Sequence, residues 1–348
     1  MSRKTPLFCL KYSLLVIFLL FLQGSFAQTN FKEIDNLIQE KQSILGKDIV
    51  ALIWKDTLVY KKELGDFKSR TQAPIASCSK WLTAALVMTF VDEGKLSLDD
   101  KVSKYLPIYA KYGKSYITIR HCLSHMTGIQ SEPIKLLKLL ERQKYKSLEE
   151  EVDDFAKKEI QNNPGIEFRY SNIGLNIAGR VLEVISRKKF DQLIQIRLLR
   201  PLGMRYTTFS NYESSVNPSG GAKSTADDYM KFLVMLLNKG MFHGQRILSE
   251  ESIQQLRLVQ TKTEQIKYAP KAAAGYNYAL GSWVMEQDNN GIATVLSSPG
   301  LFGTWPMIEF CRGYVYLFFV KNLLGEERAE IHFEIKKLID EQILSQCK

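Results

Sequence analysis

This 348-residue sequence has few extreme features, and what it lacks narrows the class of protein. Glycine (21) and proline (10) are too sparse for a collagen-like or low-complexity chain. The sequence has no GxSxG elbow, no P-loop and no GxGxxG motif, which argues against an α/β-hydrolase, a P-loop nucleotidase and a dinucleotide-dependent enzyme. The 45% of apolar residues are instead enough for a sizeable globular core.

Cysteine is also scarce, with five residues in the whole chain. A small secreted domain held by a disulfide framework would need a far higher density, and no CxxC pair supports a structural zinc site. One disulfide remains open among the four cysteines beyond residue 27, and the sequence does not select the partners. These four are Cys78, Cys122, Cys311 and Cys347.

The chain carries no concentrated charge of one sign. Its formal net charge is +10, but lysine and arginine are scattered along the sequence. A basic stripe with interleaved aromatic residues would indicate nucleic-acid binding, and none is present. We therefore expect no nucleic-acid partner.

The first 27 residues are typical of a secretory signal peptide. Arg3, Lys4 and Lys11 form a basic head, residues 13–22 an apolar run, and residues 25–27 a small-x-small cleavage site. The apolar run is shorter than the roughly 20 residues of a membrane-spanning helix, and no cysteine for a lipid follows the cleavage site. We expect export to a periplasm or the exterior, with no stable membrane anchor after cleavage.

Strand patterns occur at both ends of the remaining chain, and helix patterns lie between them. Residues 49–54 and 57–60 predict a hairpin, residues 77–93 a helix, and residues 326–344 a last helix. Further strands are predicted at residues 279–285, 292–296, 304–309 and 314–320. The predicted fold class is α/β (α+β): one domain, residues 28–348, with an antiparallel sheet flanked by helices. Its sheet lobe is expected at about 28–76 and 275–348, and an inserted helical lobe at about 77–274.

Ser77 and Lys80 open the strongly apolar helix predicted from residue 77. Their i, i+3 spacing places both side chains on one helical face. A serine hydroxyl needs a neighbouring base, and a lysine becomes one when burial lowers its pKa. The free N–H groups of a helix N-terminus would also stabilise an oxyanion. Taken alone, the same residues also fit a serine N-cap followed by a solvated lysine.

Two further motifs have residues suited to the same chemistry. Tyr170 precedes Ser171-Asn172, so its phenol could transfer protons and the amide of Asn172 could hold the lysine or a substrate carbonyl. The alternative interpretation is a packed tyrosine before an asparagine helix cap. Residues 297–301, which include Ser298, Gly300 and Leu301, precede a predicted strand and also fit a plain turn.

In this order and spacing, the motifs resemble the serine beta-lactamase and penicillin-recognising family. The similarity is to the branch of class C beta-lactamases, D-Ala-D-Ala carboxypeptidases and related esterases. It extends over essentially the whole chain after residue 27, on segments that include residues 90–100, 105–107, 117–128, 164–165, 201–204 and 220–228.

The resemblance implies a role for each motif residue. Ser77 is the acylated nucleophile, Lys80 its base and Tyr170 the second proton-transfer group, while Asn172 orients the lysine or the substrate. The oxyanion hole is formed by the backbone N–H groups of Ser77 and of Leu301, which is expected on an edge strand. No metal or cofactor is expected.

The third motif departs from the family pattern, since Ser298-Pro299-Gly300 stands where Lys-Thr-Gly or His-x-Gly is usual. A neutral hydroxyl binds a substrate carboxylate more weakly than a cation does, which favours a neutral ester or amide substrate. An arginine from elsewhere in the chain could supply the charge. A true beta-lactamase or D,D-carboxypeptidase, and a non-catalytic ligand-binding or peptidoglycan-sensing module, therefore remain alternatives.

Three other residues receive structural interpretations. His121 and His125 have the i, i+4 spacing of metal ligands, but no HExxH glutamate accompanies them, so His125 is expected to pack or hydrogen-bond near the site. Cys78 should point away from Ser77, because adjacent helical positions diverge by about 100°. It is interpreted as part of the core.

Overall fold

A seven-stranded antiparallel sheet forms the centre of the computed structural model, which describes residues 31–131, 145–210, 215–320 and 328–347. The predicted signal peptide, residues 1–27, lies outside the described residues. In chain order the strands of the described part are β1 (Ile49–Lys55), β2 (Thr57–Leu64), β3 (Ala73–Pro74), β4 (Phe168–Arg169), β5 (Lys223–Ser224), β6 (Met241–Phe242), β7 (Gln245–Arg246), β8 (Ile266–Tyr268), β9 (Asn277–Tyr278), β10 (Trp283–Gln287), β11 (Ala293–Ser297), β12 (Trp305–Glu309) and β13 (Tyr314–Val320). The order across the large sheet is β2-β1-β13-β12-β11-β10-β9.

Helices connect and cover these strands. Within the described residues they are α1 (Lys32–Glu40), α2 (Gln42–Leu45), α3 (Ser79–Asp92), α4 (Ile108–Lys111), α5 (Ile119–Leu123), α6 (Leu148–Lys157), α7 (Ile173–Ser186), α8 (Phe190–Ile194), α9 (Ala226–Leu237), α10 (Glu250–Arg257) and α11 (Arg328–Asp340). None of the helices in these ranges combines the length and the apolar character that crossing a membrane requires.

Strand β13, which lies inside the sheet between β1 and β12, is buried along its whole length because helices pack on both of its faces. Successive strand residues point to opposite faces, so the apolar run divides between two cores. Val315, Leu317 and Phe319 belong to a core shared with α3 and α9, whereas Tyr316 and Phe318 belong to a core shared with α1 and α11. The predicted fold class, an antiparallel sheet flanked by helices, is confirmed.

The N-terminal hairpin forms as predicted, with β1 and β2 joined at Asp56. The single strand predicted over residues 279–285 is wrong, because the chain reverses there between β9 and β10. Gly281 adopts a φ of 80°, and the Ala279 N–H donates to the Ser282 carbonyl at 2.9 Å. A positive φ is readily available to glycine, so this residue allows the turn.

The last helix is shorter than predicted, and a disulfide holds the chain that follows it. Helix α11 ends at Asp340 rather than at residue 344, and residues 326 and 327 lie outside the described part. Cys347 is bonded to Cys311, and the Gln346 N–H donates to the Cys311 carbonyl at 2.7 Å. The bond therefore ties the C-terminal segment to the turn between β12 and β13.

We expect removal of this disulfide to destabilise the protein by about 2–4 kcal/mol, the usual effect of closing a loop of this order. The two cysteines are 36 residues apart, so the bond restricts a long stretch of the unfolded chain. Urea unfolding of a Cys311→Ala/Cys347→Ala variant measures the change. Cys78→Ala is the control, since that thiol is free and buried. An unfolding free energy unchanged in the double variant would contradict the prediction.

Candidate active site

Ser77 lies in a short 3₁₀ turn, Ala76–Cys78, that leads directly into α3. Ala76 has a φ of 44°, a left-handed conformation that residues other than glycine seldom adopt. Pairing of β3 with β5 and the hydrogen bond from the Ile75 N–H to the Ala222 carbonyl (3.0 Å) hold the turn in place. The hydroxyl of Ser77 is thus presented on a strained and firmly supported turn, as is common at functional sites.

The Lys80 amine meets that hydroxyl from the first turn of α3. Nζ of Lys80 lies 3.3 Å from Oγ of Ser77, 3.1 Å from Oδ1 of Asn172 and 2.8 Å from the carbonyl oxygen of Ser219. The whole lysine is inaccessible to solvent. The alternative of a solvated lysine beside an N-cap serine is therefore excluded by the geometry.

The three acceptors around the amine are all neutral, and this determines its protonation. Within the described residues no carboxylate forms an ion pair with Lys80. Burial disfavours the ammonium form and lowers the pKa of Lys80 to about 7. A substantial fraction of the amine is therefore unprotonated at neutral pH and can accept a proton from Ser77.

The third side chain beside Ser77 and Lys80 is that of Tyr170. It is buried, and its ring centroid lies 4.8 Å from Nζ of Lys80. Burial raises the pKa of Tyr170 well above its usual value, and a hydrogen bond with Ser77 opposes this only in part. The phenol therefore stays protonated in the free site, which suits a group that relays a proton better than one that removes it as a phenolate.

Asn172 occupies the N-cap position of α7, but its side chain caps no backbone N–H there. Its Oδ1 instead accepts the hydrogen bond from Lys80. Of the two interpretations open for this residue, helix cap or partner of the lysine, the geometry favours the second.

The third motif packs directly against the turn that carries Ser77. A Cβ on Gly300 would lie 2.4 Å from the Ile75 carbonyl oxygen and 3.1 Å from Sγ of Cys78, so only glycine permits this approach. Ser298 is buried, and its hydroxyl lies 3.4 Å from the Ser77 carbonyl oxygen and 3.3 Å from that of Gly281. The hydroxyl therefore faces backbone carbonyls of the protein. Cys78 is buried as predicted, which raises the pKa of its thiol.

The position expected for Leu301, on an edge strand, is wrong. Strand β11 ends at Ser297 and lies inside the sheet between β10 and β12, and Leu301 follows in the turn before β12. The backbone N–H groups of Leu301 and Ser77 donate to no other described residue. Both are thus free to donate to a substrate oxygen.

His125 supports the site from an aromatic cluster, and it does not share a helix face with His121. Helix α5 ends at Leu123, and His125 follows it with a φ of 57°, which separates the two imidazoles. Nε2 of His125 lies 3.1 Å from the Tyr278 hydroxyl, and its ring centroid is 4.7 Å from that of Tyr170. Across the described ranges, no cluster of three or more His, Cys, Asp or Glu side chains is arranged to hold a metal.

Two partners of the site have no signal in the sequence. The Ser219 carbonyl is a backbone group, so no side-chain pattern reveals it. Arg328 lies at the start of α11, buried, with Nη2 donating to the Gly300 carbonyl at 2.9 Å. Because Arg328 and Gly300 are 28 residues apart, no local pattern predicts this contact. Arg328 is the candidate for the arginine from elsewhere in the chain that could supply the charge missing from the third motif.

The lysine gives a testable pH dependence. If the neutral amine is the base, kcat/KM for a neutral ester falls about tenfold per pH unit below about 7 and levels off above it. Hydrolysis of p-nitrophenyl butyrate over about pH 5 to 9, corrected for the spontaneous reaction, measures the profile. A profile that is flat across this range would contradict the assignment of Lys80 as the base.

Comparison with known proteins identifies the family of the chain. The family model described as beta-lactamase matches residues 34–339. The D-alanyl-D-alanine-carboxypeptidase/endopeptidase AmpH of Escherichia coli is 25% identical over 257 residues, which cover 65% of this chain and 64% of AmpH. A crystal structure of a beta-lactamase-type protein from Bacteroides dorei has a TM-score of 0.80 and 26% identity, covering 90% of this chain and 99% of that one. EstCE1, described as a hydrolase with promiscuous acyltransferase activity, shares the fold at a TM-score of 0.75 and 19% identity, over 88% of this chain and 97% of its own.

Proposed function

Since the chain belongs to the beta-lactamase family, we propose that it is a serine hydrolase that cleaves a neutral ester or amide through an acyl-enzyme at Ser77. The observation that carries this proposal is the contact between Nζ of Lys80 and Oγ of Ser77, 3.3 Å long, in which the lysine is inaccessible to solvent and the serine is partly exposed. No cofactor takes part in the proposed reaction.

Acylation follows from the positions of four groups. The neutral amine of Lys80 takes the hydroxyl proton of Ser77 while Oγ forms a bond to the substrate carbonyl carbon. The negative charge on the carbonyl oxygen is stabilised by the N–H groups of Ser77 and Leu301. When the carbon–leaving group bond breaks, the proton passes from Lys80 through the Tyr170 hydroxyl to the leaving group.

Deacylation repeats these steps with water in place of the serine. As water attacks the acyl carbon, the Tyr170 hydroxyl takes a proton from it and passes its own proton to the Lys80 amine. The ammonium then gives a proton to Oγ of Ser77 as the bond from Oγ to the acyl carbon breaks. The raised pKa of Tyr170 supports a relay in which the phenol gives up one proton as it receives another.

The preference for a neutral substrate rests on the third motif. Ser298 brings no cation, and its hydroxyl is directed at the carbonyl groups of Ser77 and Gly281. A substrate carboxylate would lose the charge-assisted bonds that a lysine or histidine provides. Arg328 is the observation that favours the second candidate, a D,D-peptidase or beta-lactamase, because its guanidinium adjoins Gly300.

Export is part of the proposal. It is supported by the signal peptide predicted at residues 1–27 and by the bond between Cys311 and Cys347, because disulfides persist mainly in oxidising compartments such as a periplasm or the exterior. A periplasmic or extracellular location follows.

A matched pair of substrates separates the candidates. We expect phenyl phenylacetate to be hydrolysed with a kcat/KM at least tenfold above that of its analogue with a meta-carboxylate on the phenol, because charge-assisted bonds to that carboxylate are missing. Nitrocefin and a D-Ala-D-Ala peptide are expected to be poor substrates. A preference for the carboxylate ester, or rapid turnover of nitrocefin, would establish the second candidate instead. Turnover of none of the four would favour a non-catalytic binding module.

A further inference from the structure

The peptide unit that joins Pro218 to Ser219 is held on both sides. The Thr83 hydroxyl, on the same helix as Lys80, donates to the Pro218 carbonyl at 2.6 Å. On the opposite side, the Ser219 N–H donates to Oδ1 of Asn176 at 3.0 Å and, from its own loop, to Oδ1 of Asn217 at 3.2 Å. The next carbonyl along the chain is that of Ser219, which accepts from Nζ of Lys80 at 2.8 Å. Holding this peptide plane therefore positions the residue whose carbonyl is an acceptor for the lysine amine.

Asn176 is itself held by a buried carboxylate. Asn176 on α7 has no solvent access, and its Nδ2 donates to Oε2 of Glu151 on α6 at 3.2 Å. Glu151 is also buried. The two partners determine the orientation of the amide, because a carboxylate accepts from the NH₂ group and the Ser219 N–H requires the oxygen. A buried pair of this kind is costly unless its hydrogen bonds are made, so its polar groups act as a rigid unit.

The same face of α7 is shaped to receive the segment. Asn172, Asn176 and Gly179 follow one another at i, i+4 and i+7, which places them on one stripe of the helix. A Cβ on Gly179 would lie 2.6 Å from Cγ of Pro218, so the absence of a side chain admits the proline. One helix face therefore contacts the lysine amine through Asn172 and supports its other acceptor through Asn176.

We propose that Asn176, held in place by Glu151, is a positioning residue that fixes the Ser219 carbonyl on the Lys80 amine and thereby aims the lone pair of that amine at Ser77. This inference rests on the proposed function, in which Lys80 is the base. Asn176 touches none of the reacting atoms and acts through the backbone of Ser219.

The hydrogen-bonding capacity of the amine explains why a second acceptor matters. A neutral amine has two N–H bonds and one lone pair. Oδ1 of Asn172 and the carbonyl oxygen of Ser219 accept one hydrogen bond each, which leaves the lone pair directed at Oγ of Ser77. If the carbonyl moves, the amine can rotate its lone pair away, and a misplacement of about 1 Å can lower a rate about 100-fold.

The test compares wild type with Asn176→Leu and Thr83→Val, each of which removes one hydrogen bond of the same peptide and leaves the bond to Asn217 in place. Thr89→Val is the matched control, since Thr89 lies on the same helix and its hydroxyl donates to the Leu86 carbonyl at 2.7 Å. We expect kcat for p-nitrophenyl butyrate to fall about 100-fold in Asn176→Leu and about tenfold in Thr83→Val, with KM changed less than about threefold. The control should stay within about twofold.

A second readout does not depend on turnover. Carbon-13 NMR of proteins labelled at lysine Cε follows the titration of Lys80, identified by the signal missing from Lys80→Met. Loss of a carbonyl acceptor destabilises the ammonium, so the midpoint should fall by about one pH unit in Asn176→Leu and in the same direction in Thr83→Val. The neighbouring titratable groups Cys78, His125 and Tyr170 are unchanged in all variants.

The outcomes separate this inference from the proposed function. A midpoint and a kcat that remain at the wild-type values in folded Thr83→Val and Asn176→Leu would overturn the positioning role, and so would a fall in melting temperature without either change. Should Asn176→Leu fail to fold, Thr83→Val decides alone. If the wild type forms no acyl-enzyme but the Lys80 titration midpoint still shifts in the variants, the proposed hydrolase function is refuted and the positioning of the amine by Asn176 is established.

Discussion

Replacing Ser77 by alanine is expected to abolish ester hydrolysis, with kcat lower by about 10⁴-fold or more. The proposed reaction has no other nucleophile, because the acyl group is transferred to Oγ before water releases it. The side chain contacts Lys80 and Tyr170 but is not part of either core, so the variant should fold normally. Turnover of p-nitrophenyl butyrate measures the loss, and circular dichroism checks the fold.

Cys78→Ala is the matched control for Ser77→Ala. The thiol is adjacent in sequence, but it is buried with Sγ 3.9 Å from the Thr304 carbonyl oxygen, and burial raises its pKa. A thiol kept in its protonated form is a poor nucleophile, so this variant should retain activity. Activity that survives in Ser77→Ala and disappears in Cys78→Ala would show that the nucleophile is Cys78 and not Ser77.

Loss of the Lys80 amine is the second large effect that we expect. Lys80→Met should lower kcat/KM about 10³-fold, within the range of general-base catalysis, because Lys80 is the group that accepts the serine proton in the proposed reaction. Lys80→Arg is the more informative variant, since it keeps a cation but cannot become a neutral base. Both variants should be nearly inactive. Substantial activity in Lys80→Arg would mean that the site needs a positive charge rather than a base.

The same variants should separate activity from stability. Burying an amine without a carboxylate is costly, so Lys80→Met is not expected to lower the free energy of unfolding. The pKa of Lys80 falls from 10.5 to about 7 on folding, so the unfolded chain binds more protons between these values. The free energy of unfolding of Lys80→Met should therefore exceed that of the wild type by most below about pH 7, and the difference should shrink towards pH 10.5. Urea unfolding of both proteins at several pH values measures this difference. A difference that grows with pH would contradict the prediction that the amine is buried without a compensating charge.

Local patterns in the sequence predicted a large part of the fold. The β1–β2 hairpin, the buried helix that starts after Ser77 and strand β13 all follow from periodicity and from short-range turn signals. The i, i+3 spacing of Ser77 and Lys80 likewise brings their side chains together, because it is a local property of the helix start. These features need no knowledge of distant segments.

The features that the sequence did not predict depend on contacts between distant segments. The turn at Gly281 lies against α3, where a Cβ would be 2.7 Å from that of Ala84, and such a close approach has no local signature. The pairing of Cys311 with Cys347, the support of Lys80 by Ser219 and the approach of Arg328 to Gly300 span 28 to 139 residues. Only the assembled sheet and helices bring these groups together.

The most direct test of the whole account is to map the residue that a fluorophosphonate modifies. We predict one adduct per molecule by intact-mass spectrometry, located by peptide sequencing on Ser77 and absent from the Ser77→Ala protein. Labelling should become about tenfold slower for each pH unit below about 7, as the Lys80 amine is protonated. An adduct on another residue, or folded wild-type protein that remains unmodified at pH 8, would contradict the account.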